Sequence, residues 1–439
     1  MDGWHNVVGI EWDANARMYV LEKSGKVWVV EKGMRLPEPL IDISEEVGDW
    51  AELGCLGFAL DPNFLKNGYF YLSYVVDRHH LLYYGSSSYH PLANEYFNAT
   101  IGRVTRFQAD SASHFTRAVA NSRTVLIGET KKTGMPILYL SHGVGSLVFG
   151  SDGTLLVCMG DGASYDSADE GSAPETYWQR ALADSIITEE ENIGAYRAQI
   201  LNSLDGKLLR IDSKTGDGVS SNPFFDPAAP RAARSRIWSL GLRNPYRMCR
   251  KSGTGSTNPA DGDPGSFYLG DVGWGLHEEL DVVSAPGQNF GWPRFEGIYR
   301  LMRYHDDAYA PAHHERPNID WEHGKVGGLG IVNGAIARVG SALLPGKPFT
   351  GNASTGGVWY TGDDFPPEYK NTYFHGDYVS GWIRNFVFDN QHTPLEVREF
   401  LSNIGPVVFI GTNPKKGNLY YIRYPDQIWR VTFDSSLVK

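Results

Sequence analysis

The sequence predicts an all-β fold, a six-bladed β-propeller of four-stranded antiparallel blades with long loop insertions. The chain contains 50 Gly and 24 Pro, and 13% of its residues are aromatic. This composition is typical of short strands joined by many turns. One pattern recurs along the chain: an apolar alternating strand, a polar turn rich in Gly, Asp or Asn, and a second strand with aromatic residues. A small sheet that is apolar on both faces must stack on copies of itself, and closing the ring covers those faces.

We expect each copy of the pattern to form one blade. The six copies begin at Gly9, Leu56, Ser146, Ile237, Gly356 and Val407. The fourth copy is split, because IWSLGLRNPYRM is followed by SFYLGDVG from Ser266. No Pro-rich or low-complexity linker divides the chain. We therefore predict a single propeller domain over residues 1–439.

Long irregular segments separate the copies of the pattern. They cover approximately residues 77–99, 162–198, 251–264 and 298–331. Long loops in a compact domain are usually functional, and tolerated surface insertions are the alternative. The stretch from about 163 to 199 contains the only helical pattern in the sequence, so we predict a helical and loop insertion there.

Charge and hydropathy exclude two classes of partner. The formal net charge is −11, and no run of Lys and Arg offers phosphate contacts, which argues against a nucleic-acid partner. No stretch approaches the roughly 20 apolar residues of a membrane span. The chain opens MDGWHNVVGIEWD, without the apolar core of a signal peptide. It is therefore either a cytoplasmic protein or a periplasmic or extracellular one whose leader is absent from this sequence; the second is our expectation.

Several catalytic signatures are missing from the sequence. It has no G-x-S-x-G turn, no Walker loop, no Rossmann fingerprint after a strand and no H-E-x-x-H. These absences leave two classes of function: chemistry assisted by a metal or a cofactor, and simple binding.

The turns with the densest polar content carry a family resemblance. The segments in question are ELGCLGFALDPNFLKNGYFYLSY, SHGVGSLVFGSDGTLLVCMGDG, GLRNPYR, GDVGWGLHEELDVV and GQNFGWP. In the same order, they resemble segments of the quinone-dependent soluble glucose and sorbosone dehydrogenases, a family that includes aldose sugar dehydrogenases. The resemblance extends roughly from Gly9 to Phe433. It implies pyrroloquinoline quinone (PQQ) and calcium as cofactors and a small sugar as substrate.

The resemblance gives His142 the role of general base. A neutral imidazole suits removal of the proton from a sugar hydroxyl while hydride leaves its carbon. The flanking Gly143 and Gly145 would leave room for the substrate, and Asp161 would orient the base or the bound sugar. The alternatives are a structural histidine at the start of a strand and an ordinary Asp-Gly turn.

The resemblance also implies the contacts to the quinone. Arg243 and Asn244 fall on residues that contact it, and a guanidinium suits the charge that builds on quinone oxygens during reduction. The alternative for Arg243 is a structural ion pair with Asp271. Tyr246 takes the place of a cofactor-contacting Gln in the glucose-oxidising branch of the family.

The resemblance assigns the calcium to a turn. Gly273 and Trp274 match the turn whose backbone carbonyls hold the calcium in the family, and carbonyl oxygens suit this hard ion. The cofactor's carboxylates need further cationic partners. Arg423 is our candidate, with Lys325 and Lys416 as others.

Three function hypotheses remain open at this stage. The first is a PQQ- and calcium-dependent dehydrogenase of aldoses or polyols, with an unidentified electron acceptor. The second is a calcium-dependent lactonase, which would require Asp, Glu and Asn side chains converging on one axial metal. The third is a non-enzymatic propeller that binds a carbohydrate or a protein.

Overall fold

Six antiparallel sheets and one separate hairpin follow one another along the chain. The computed structural model describes residues 3–434. Blade one contains β1 (Val7–Trp12), β2 (Met18–Glu22), β3 (Lys26–Glu31), β4 (Met34–Arg35) and β5 (Ile41–Asp42). Blade two contains β6 (Cys55–Leu60), β7 (Tyr69–Val75), β8 (Thr100–Gln108), β9 (Thr124–Ile127) and β10 (Met135–Ile137). Blade three contains β11 (Val144–Phe149), β12 (Leu155–Met159), β13 (Lys207–Ile211) and β14 (Ile237–Leu240).

The second half of the chain forms the other three blades. Blade four begins with β15 (Pro245–Arg250), β16 (Phe267–Asp271) and β17 (His277–Val283). After the separate hairpin of β18 (Phe295–Glu296) and β19 (Tyr299–Arg300), it continues with β20 (Ile319–Glu322), β21 (Leu329–Val332) and β22 (Ala335–Arg338). Blade five contains β23 (Ser354–Tyr360), β24 (Thr372–Asp377), β25 (Trp382–Phe388) and β26 (Pro394–Leu401). Blade six contains β27 (Val407–Thr412), β28 (Leu419–Arg423) and β29 (Gln427–Val431).

The first strand of each sheet lies against the first strands of its two neighbours. The contacts run from β1 to β6, β11, β15, β23 and β27, and from β27 back to β1. Val20 of blade one and Ile422 of blade six belong to one buried apolar cluster, which closes the ring between the first and last blades. The prediction of a six-bladed β-propeller is therefore confirmed. Blades three and five have the expected four strands, while insertions add strands to blades one, two and four. Blade six has three strands in the described residues, one fewer than predicted.

Glycines allow the first strands to approach one another closely. A Cβ atom on Gly145 would lie 2.4 Å from the carbonyl oxygen of Pro245 in blade four, and one on Gly57 would lie 2.5 Å from the carbonyl oxygen of Gly145. The expectation that Gly145 leaves room for a substrate is therefore wrong, because this residue packs against the next blade.

The predicted start of the fourth blade also needs correction. Residues Ile237–Leu240 form β14, which pairs with β13 as the outer strand of blade three. Blade four begins at Pro245. The residues between these strands carry a left-handed glycine, Gly241 at φ 76°, which turns the chain from the rim of one blade towards the axis.

Helices are few and short. They are α1 (Phe64–Asn67), α2 (Arg78–Tyr83), α3 (Trp178–Ala183) and α4 (Ala233–Arg236), with 3-10 turns at Ser111–Ser113, Glu189–Glu191, Gly194–Gln199, Pro259–Asp261, Asp307–Tyr309 and Pro367–Tyr369. The predicted insertion at about 163–199 contains α3 and two of the 3-10 turns. Helices α1, α2 and α4 lie outside it and are too short to show a helical period in the sequence. Within residues 3–434, no helix has the length and apolar character needed to cross a membrane.

Strand direction places two kinds of connection on one face of the ring, which we call the upper face. Each blade's first strand runs away from this face and its second strand returns, because consecutive strands are antiparallel. The segment entering each first strand and the connection between its second and third strands therefore meet at the upper face. The predicted site residues come mainly from these segments.

Candidate functional site

A cavity of about 230 Å³ opens on the axis at the upper face. Its lining comes from all six blades and the segments that enter them. The polar and aromatic residues are Lys23, Glu52, His142, Asn244, Tyr246, Ser354, Thr355, Tyr378 and Tyr424. Three of the residues predicted from the sequence, His142, Asn244 and Tyr246, are thus brought to one cavity.

His142 and Asp161 form a buried pair at the wall of this cavity. His142 precedes β11 and Asp161 follows β12, and these antiparallel strands pair so that both residues reach the upper end. The His142 Nδ1 and Asp161 Oδ1 atoms are 2.8 Å apart. His142 is 4% exposed and Asp161 is fully buried. The backbone of His142 is left-handed, with φ 53°, a strained conformation for a non-glycine residue that clusters at functional sites.

Several donors hold the Asp161 carboxylate. Its Oδ2 accepts from the Trp292 indole at 2.7 Å, and its Oδ1 accepts from the backbone N–H of Ala163 at 2.9 Å. Burial alone would raise the pKa of Asp161, but the charge and hydrogen bond of His142, the charge of Arg243 and the hydrogen bond from Ala163 outweigh burial and hold the pKa below its usual value. An ionised carboxylate at Nδ1 favours the imidazole tautomer with its proton there, which leaves Nε2 as the basic nitrogen.

Arg243 and Asn244 are anchored through their backbone. Their N–H groups donate to the two carboxylate oxygens of Asp271, at 2.8 Å and 2.5 Å. The Arg243 guanidinium is directed elsewhere: its Nη1 donates to the carbonyl oxygens of Val272 and Gly273, both at 2.7 Å. The side chains of Arg243 and Asp271 therefore form no ion pair, which was the alternative considered for Arg243. Arg243 is not among the residues that line the cavity, whereas Asn244 is.

The predicted calcium turn makes internal contacts. Besides accepting from Arg243, Gly273 donates its N–H to Glu278 at 3.2 Å. The backbone N–H of Trp274 donates to Glu296, and its indole donates to the carbonyl oxygen of Tyr165 at 2.7 Å. The carbonyl oxygen of Gly273 thus already accepts a cationic donor.

A cluster of three carboxylates lies directly beside this turn. Oxygens of Asp271, Glu279 and Asp281 lie within 4.8 Å of one another. Burial and mutual repulsion raise the pKa of Glu279 and Asp281, and burial raises that of Asp271 to about 7. Both carboxylate oxygens of Asp281 are buried without a hydrogen-bond partner in the described part of the chain. This cluster was not predicted from the sequence, although Glu279 and Asp281 share a strand face at i and i+2 and Asp271 pairs with Glu279.

Two consecutive residues of β15, Tyr246 and Arg247, contact each other near the axis. Tyr246 lines the cavity, and its hydroxyl accepts from Arg247 Nη2 at 3.0 Å. The same guanidinium donates to the carbonyl oxygens of one inner strand in each of blades one, two and six, those of Val8, Leu56 and Val408. Arg247 thus joins four blades at the axis, which sequence reasoning did not predict.

The predicted cationic partners for the cofactor do not line the cavity. Arg423 and Lys416 are exposed, and Lys325 is exposed and paired with Glu322. The cation that does line it is Lys23, from the turn between β2 and β3.

The fold and these contacts define a closed β-propeller with a cavity on the axis at its upper face and a buried His–Asp pair in the cavity wall. The chain belongs to the Glucose / Sorbosone dehydrogenase family, whose model matches residues 5–426. This confirms the family predicted from the sequence motifs.

Similar proteins include both plant and animal proteins. The HIPL2 protein of Arabidopsis thaliana is 25% identical over 372 residues, which are 74% of this chain and 47% of that protein. The Hedgehog-interacting protein of Mus musculus is 32% identical over 190 residues, which are 41% of this chain and 24% of that protein. This chain therefore spans about half the length, or less, of these relatives.

Solved structures share the fold. A glucose dehydrogenase is 16% identical, with a TM-score of 0.66 over 99% of this chain and 98% of that one. The PQQ-bound aldose sugar dehydrogenase of Streptomyces coelicolor is 15% identical, with a TM-score of 0.62 over 98% of this chain and 95% of that one. At such identities the likeness shows the propeller fold.

Proposed function

We propose that this chain is a PQQ- and calcium-dependent dehydrogenase that oxidises an aldose or a polyol. The observation that carries the proposal is the buried His142–Asp161 pair at the axial cavity, with its atoms 2.8 Å apart. A buried histidine with a left-handed backbone and an ionised carboxylate partner is suited to accept a proton.

The reaction divides between the chain and the cofactor. PQQ, when bound, supplies the acceptor for the hydride that leaves the substrate carbon. His142 Nε2 takes the hydroxyl proton as the carbon–oxygen double bond forms, and the imidazolium gains stabilisation from Asp161. The Trp292 indole keeps the carboxylate fixed in orientation, because it donates to the oxygen that does not contact His142.

The residues of the cavity fit a planar, polar cofactor. Tyr246, Tyr378 and Tyr424 offer aromatic surfaces, and Asn244 and Thr355 offer polar groups. The Asn244 backbone is held by Asp271, so its position is fixed before a ligand arrives.

The carboxylate cluster fits calcium. Asp271, Glu279 and Asp281 present hard oxygen ligands close together, and Asp281 lacks any other partner in the described residues. We propose these residues as the calcium site, next to the predicted Gly273–Trp274 turn, whose Gly273 carbonyl accepts from Arg243. The cluster lies in blade four and does not line the axial cavity, so it gives no support to a lactonase with an axial metal.

A non-enzymatic binding propeller is the second candidate, and one observation favours it. The Arg243 guanidinium, expected on the quinone, donates to two backbone carbonyls instead. In this alternative the axial cavity holds a sugar or a side chain of a partner protein. A periplasmic or extracellular location is compatible with both candidates, whereas an electron acceptor outside the chain belongs to the dehydrogenase proposal alone.

The two candidates separate in one experiment. Purified protein is mixed with PQQ and calcium, and bleaching of the quinone absorbance is followed after aldoses are added. With wild type, we expect aldoses to bleach the quinone absorbance. With His142→Gln, we expect PQQ still to bind and the rate of bleaching to fall by at least about 10²-fold. His305→Gln, at an exposed position, is the matched control. If wild type binds PQQ but no aldose or polyol reduces the bound quinone, the binding candidate is favoured.

A further inference from the structure

Lys23 is a buried lysine without a carboxylate partner. It is 7% exposed, in the turn between β2 and β3, and it lines the same cavity as His142. Its Nζ donates to the carbonyl oxygen of Ala51. In the described part of the chain, no Asp or Glu oxygen lies within 4.0 Å of this ammonium. A buried ammonium that no carboxylate contacts directly is costly, so an anionic ligand in the cavity would stabilise it.

The surroundings of the ammonium agree with this view. Burial lowers the pKa of Lys23, and the charges of Asp49 and Glu52 only partly oppose the effect. Glu52 lines the cavity as well but makes no ion pair with Lys23. Among residues 3–434, the Lys23 Nζ has one hydrogen-bond acceptor, the carbonyl oxygen of Ala51, which leaves two of its three protons for a ligand.

The fold positions this side chain closely. Lys23 donates its N–H to the carbonyl oxygen of Asn6 at 2.9 Å and accepts from the N–H of Cys55 at 2.8 Å. Its aliphatic stem crosses Gly54, where an added Cβ would lie 2.5 Å from Lys23 Cγ. Gly54 has φ 153°, in the region that favours glycine. The Lys23 backbone is thus held by the segments of Asn6 and Cys55, its stem packs against Gly54, and the residue lines the cavity.

We propose that Lys23 binds a carboxylate of the cofactor and is the cationic contact that the sequence argument sought at Arg423, Lys325 and Lys416. This inference rests on the proposed function, because it takes a quinone tricarboxylate as the ligand of the axial cavity. The ammonium acts as a point charge on one carboxylate, so Lys23 determines the preference for the ionised carboxylate over an uncharged ester of the ligand.

The test compares two ligands that differ in charge. Calorimetry measures the affinity of the full chain, with calcium present, for PQQ and for its trimethyl ester, which lacks the negative charges. Lys23→Met should weaken PQQ binding by about 10- to 100-fold, the range for a lost charge-assisted hydrogen bond, and should leave ester binding within about threefold. Lys23→Arg should recover most of the affinity for PQQ. Lys347→Met, whose lysine is exposed and paired with Glu399, is the matched control.

Each outcome decides the proposal. Equal affinity of wild type and Lys23→Met for PQQ, with both variants folded by their melting temperatures, overturns the role of Lys23 but leaves the proposed function standing. Equal weakening of PQQ and ester binding also overturns it, because the lysine would then act by packing alone. Wild type that binds neither ligand overturns both the proposed function and this inference. Selective loss of PQQ binding supports the proposal.

Discussion

The two sides of the axial cavity are built differently. On the side of blades two to four, two of the three connections between the second and third strands are long, residues 76–99 between β7 and β8 and residues 160–206 between β12 and β13. On the side of blades five, six and one, the corresponding turns are short, residues 378–381, 424–426 and 23–25. The first side carries the buried network of His142, Asp161 and Trp292, and the second carries the half-exposed Tyr378 and Tyr424.

This difference separates two tasks. A proton acceptor must be held in one tautomer and one orientation, which takes several partners from long loops. A wall that only contacts the ligand can be made by aromatic side chains on tight turns, because flat rings lose little conformational entropy. We therefore expect substitutions on the first side to change rate and those on the second side to change affinity.

The largest effect should come from Asp161→Asn. The amide can donate to Nδ1 and so favours the tautomer with the proton on Nε2, which cannot accept the substrate proton. We expect the rate of aldose-dependent PQQ reduction to fall by at least about 10²-fold, with PQQ affinity nearly unchanged. Stopped-flow absorbance measures this rate, and Asp363→Asn, at an exposed position, is the control. An unchanged rate would remove the His–Asp pair from the mechanism.

The second-largest effect should come from Arg247, which lies on the axis between the two sides and whose loss should lower the free energy of unfolding. Arg247→Met would leave the carbonyl oxygens of Val8, Leu56 and Val408 without this donor in a buried setting. Each buried unsatisfied group costs about 1–3 kcal/mol, so we expect the free energy of unfolding to fall by about 3 kcal/mol or more. Chemical denaturation measures it, with the exposed Arg180→Met as control. A change below about 1 kcal/mol would mean that water replaces the guanidinium at no cost.

The parts of the molecule were not equally predictable from the sequence. The ends of two paired strands bring His142 and Asp161 together, so a strand pattern and one motif suffice to associate them. Lys23 reaches the same cavity from another blade, and alternation along a strand does not reveal which turn residue points to the axis. Arg247 looks like one more arginine of a polar motif, because its partners are backbone carbonyls, which leave no trace in side-chain patterns.

The boundary of blade four shows a related limit. The segments on either side of Gly241 read as one strand pattern, yet they belong to different sheets. A single left-handed glycine separates them, and only the tertiary contacts show that the chain leaves one blade there. By contrast, the cluster of Asp271, Glu279 and Asp281 was within reach of sequence reasoning, since i and i+2 carboxylates on a strand share a face.

Calcium should affect stability through the carboxylate cluster on the first side, in a way that depends on pH. Burial raises the pKa of Asp271 from 3.8 to about 7 and raises that of Asp281 as well. A carboxyl whose pKa is higher in the folded state favours folding at low pH, and this contribution is lost as the pH rises from about 4 through about 7. We therefore expect the melting temperature of the metal-free protein to fall as the pH rises over this range.

Added calcium should restore the melting temperature more at pH 8 than at pH 5, because the ion binds ionised carboxylates. A shift of a few degrees is expected for a domain of this size. Asp281→Asn should abolish most of the calcium-dependent shift, which differential scanning fluorimetry can follow. A shift of equal size at both pH values would place the calcium at ligands that do not titrate, such as the backbone carbonyls of the Gly273–Trp274 turn.

The smallest effect should come from the side with short turns. Tyr378 is 39% exposed, and its ring centroid lies 6.5 Å from that of Tyr424 at the edge of the cavity. Tyr378→Ala removes one aromatic surface, and such contacts contribute about 0.5–1.5 kcal/mol, so we expect ligand affinity to fall by about two- to tenfold. Tyr378→Phe should retain nearly all of it, because the ring rather than the hydroxyl makes the contact.

The maximal rate of PQQ reduction should change by less than the affinity, since the proton acceptor lies on the opposite side. Calorimetry and stopped-flow absorbance measure the two quantities, with the exposed Tyr299→Ala, outside the cavity lining, as control. A loss of rate at Tyr378→Ala as large as that at Asp161→Asn would show that both sides of the cavity act in the chemical step.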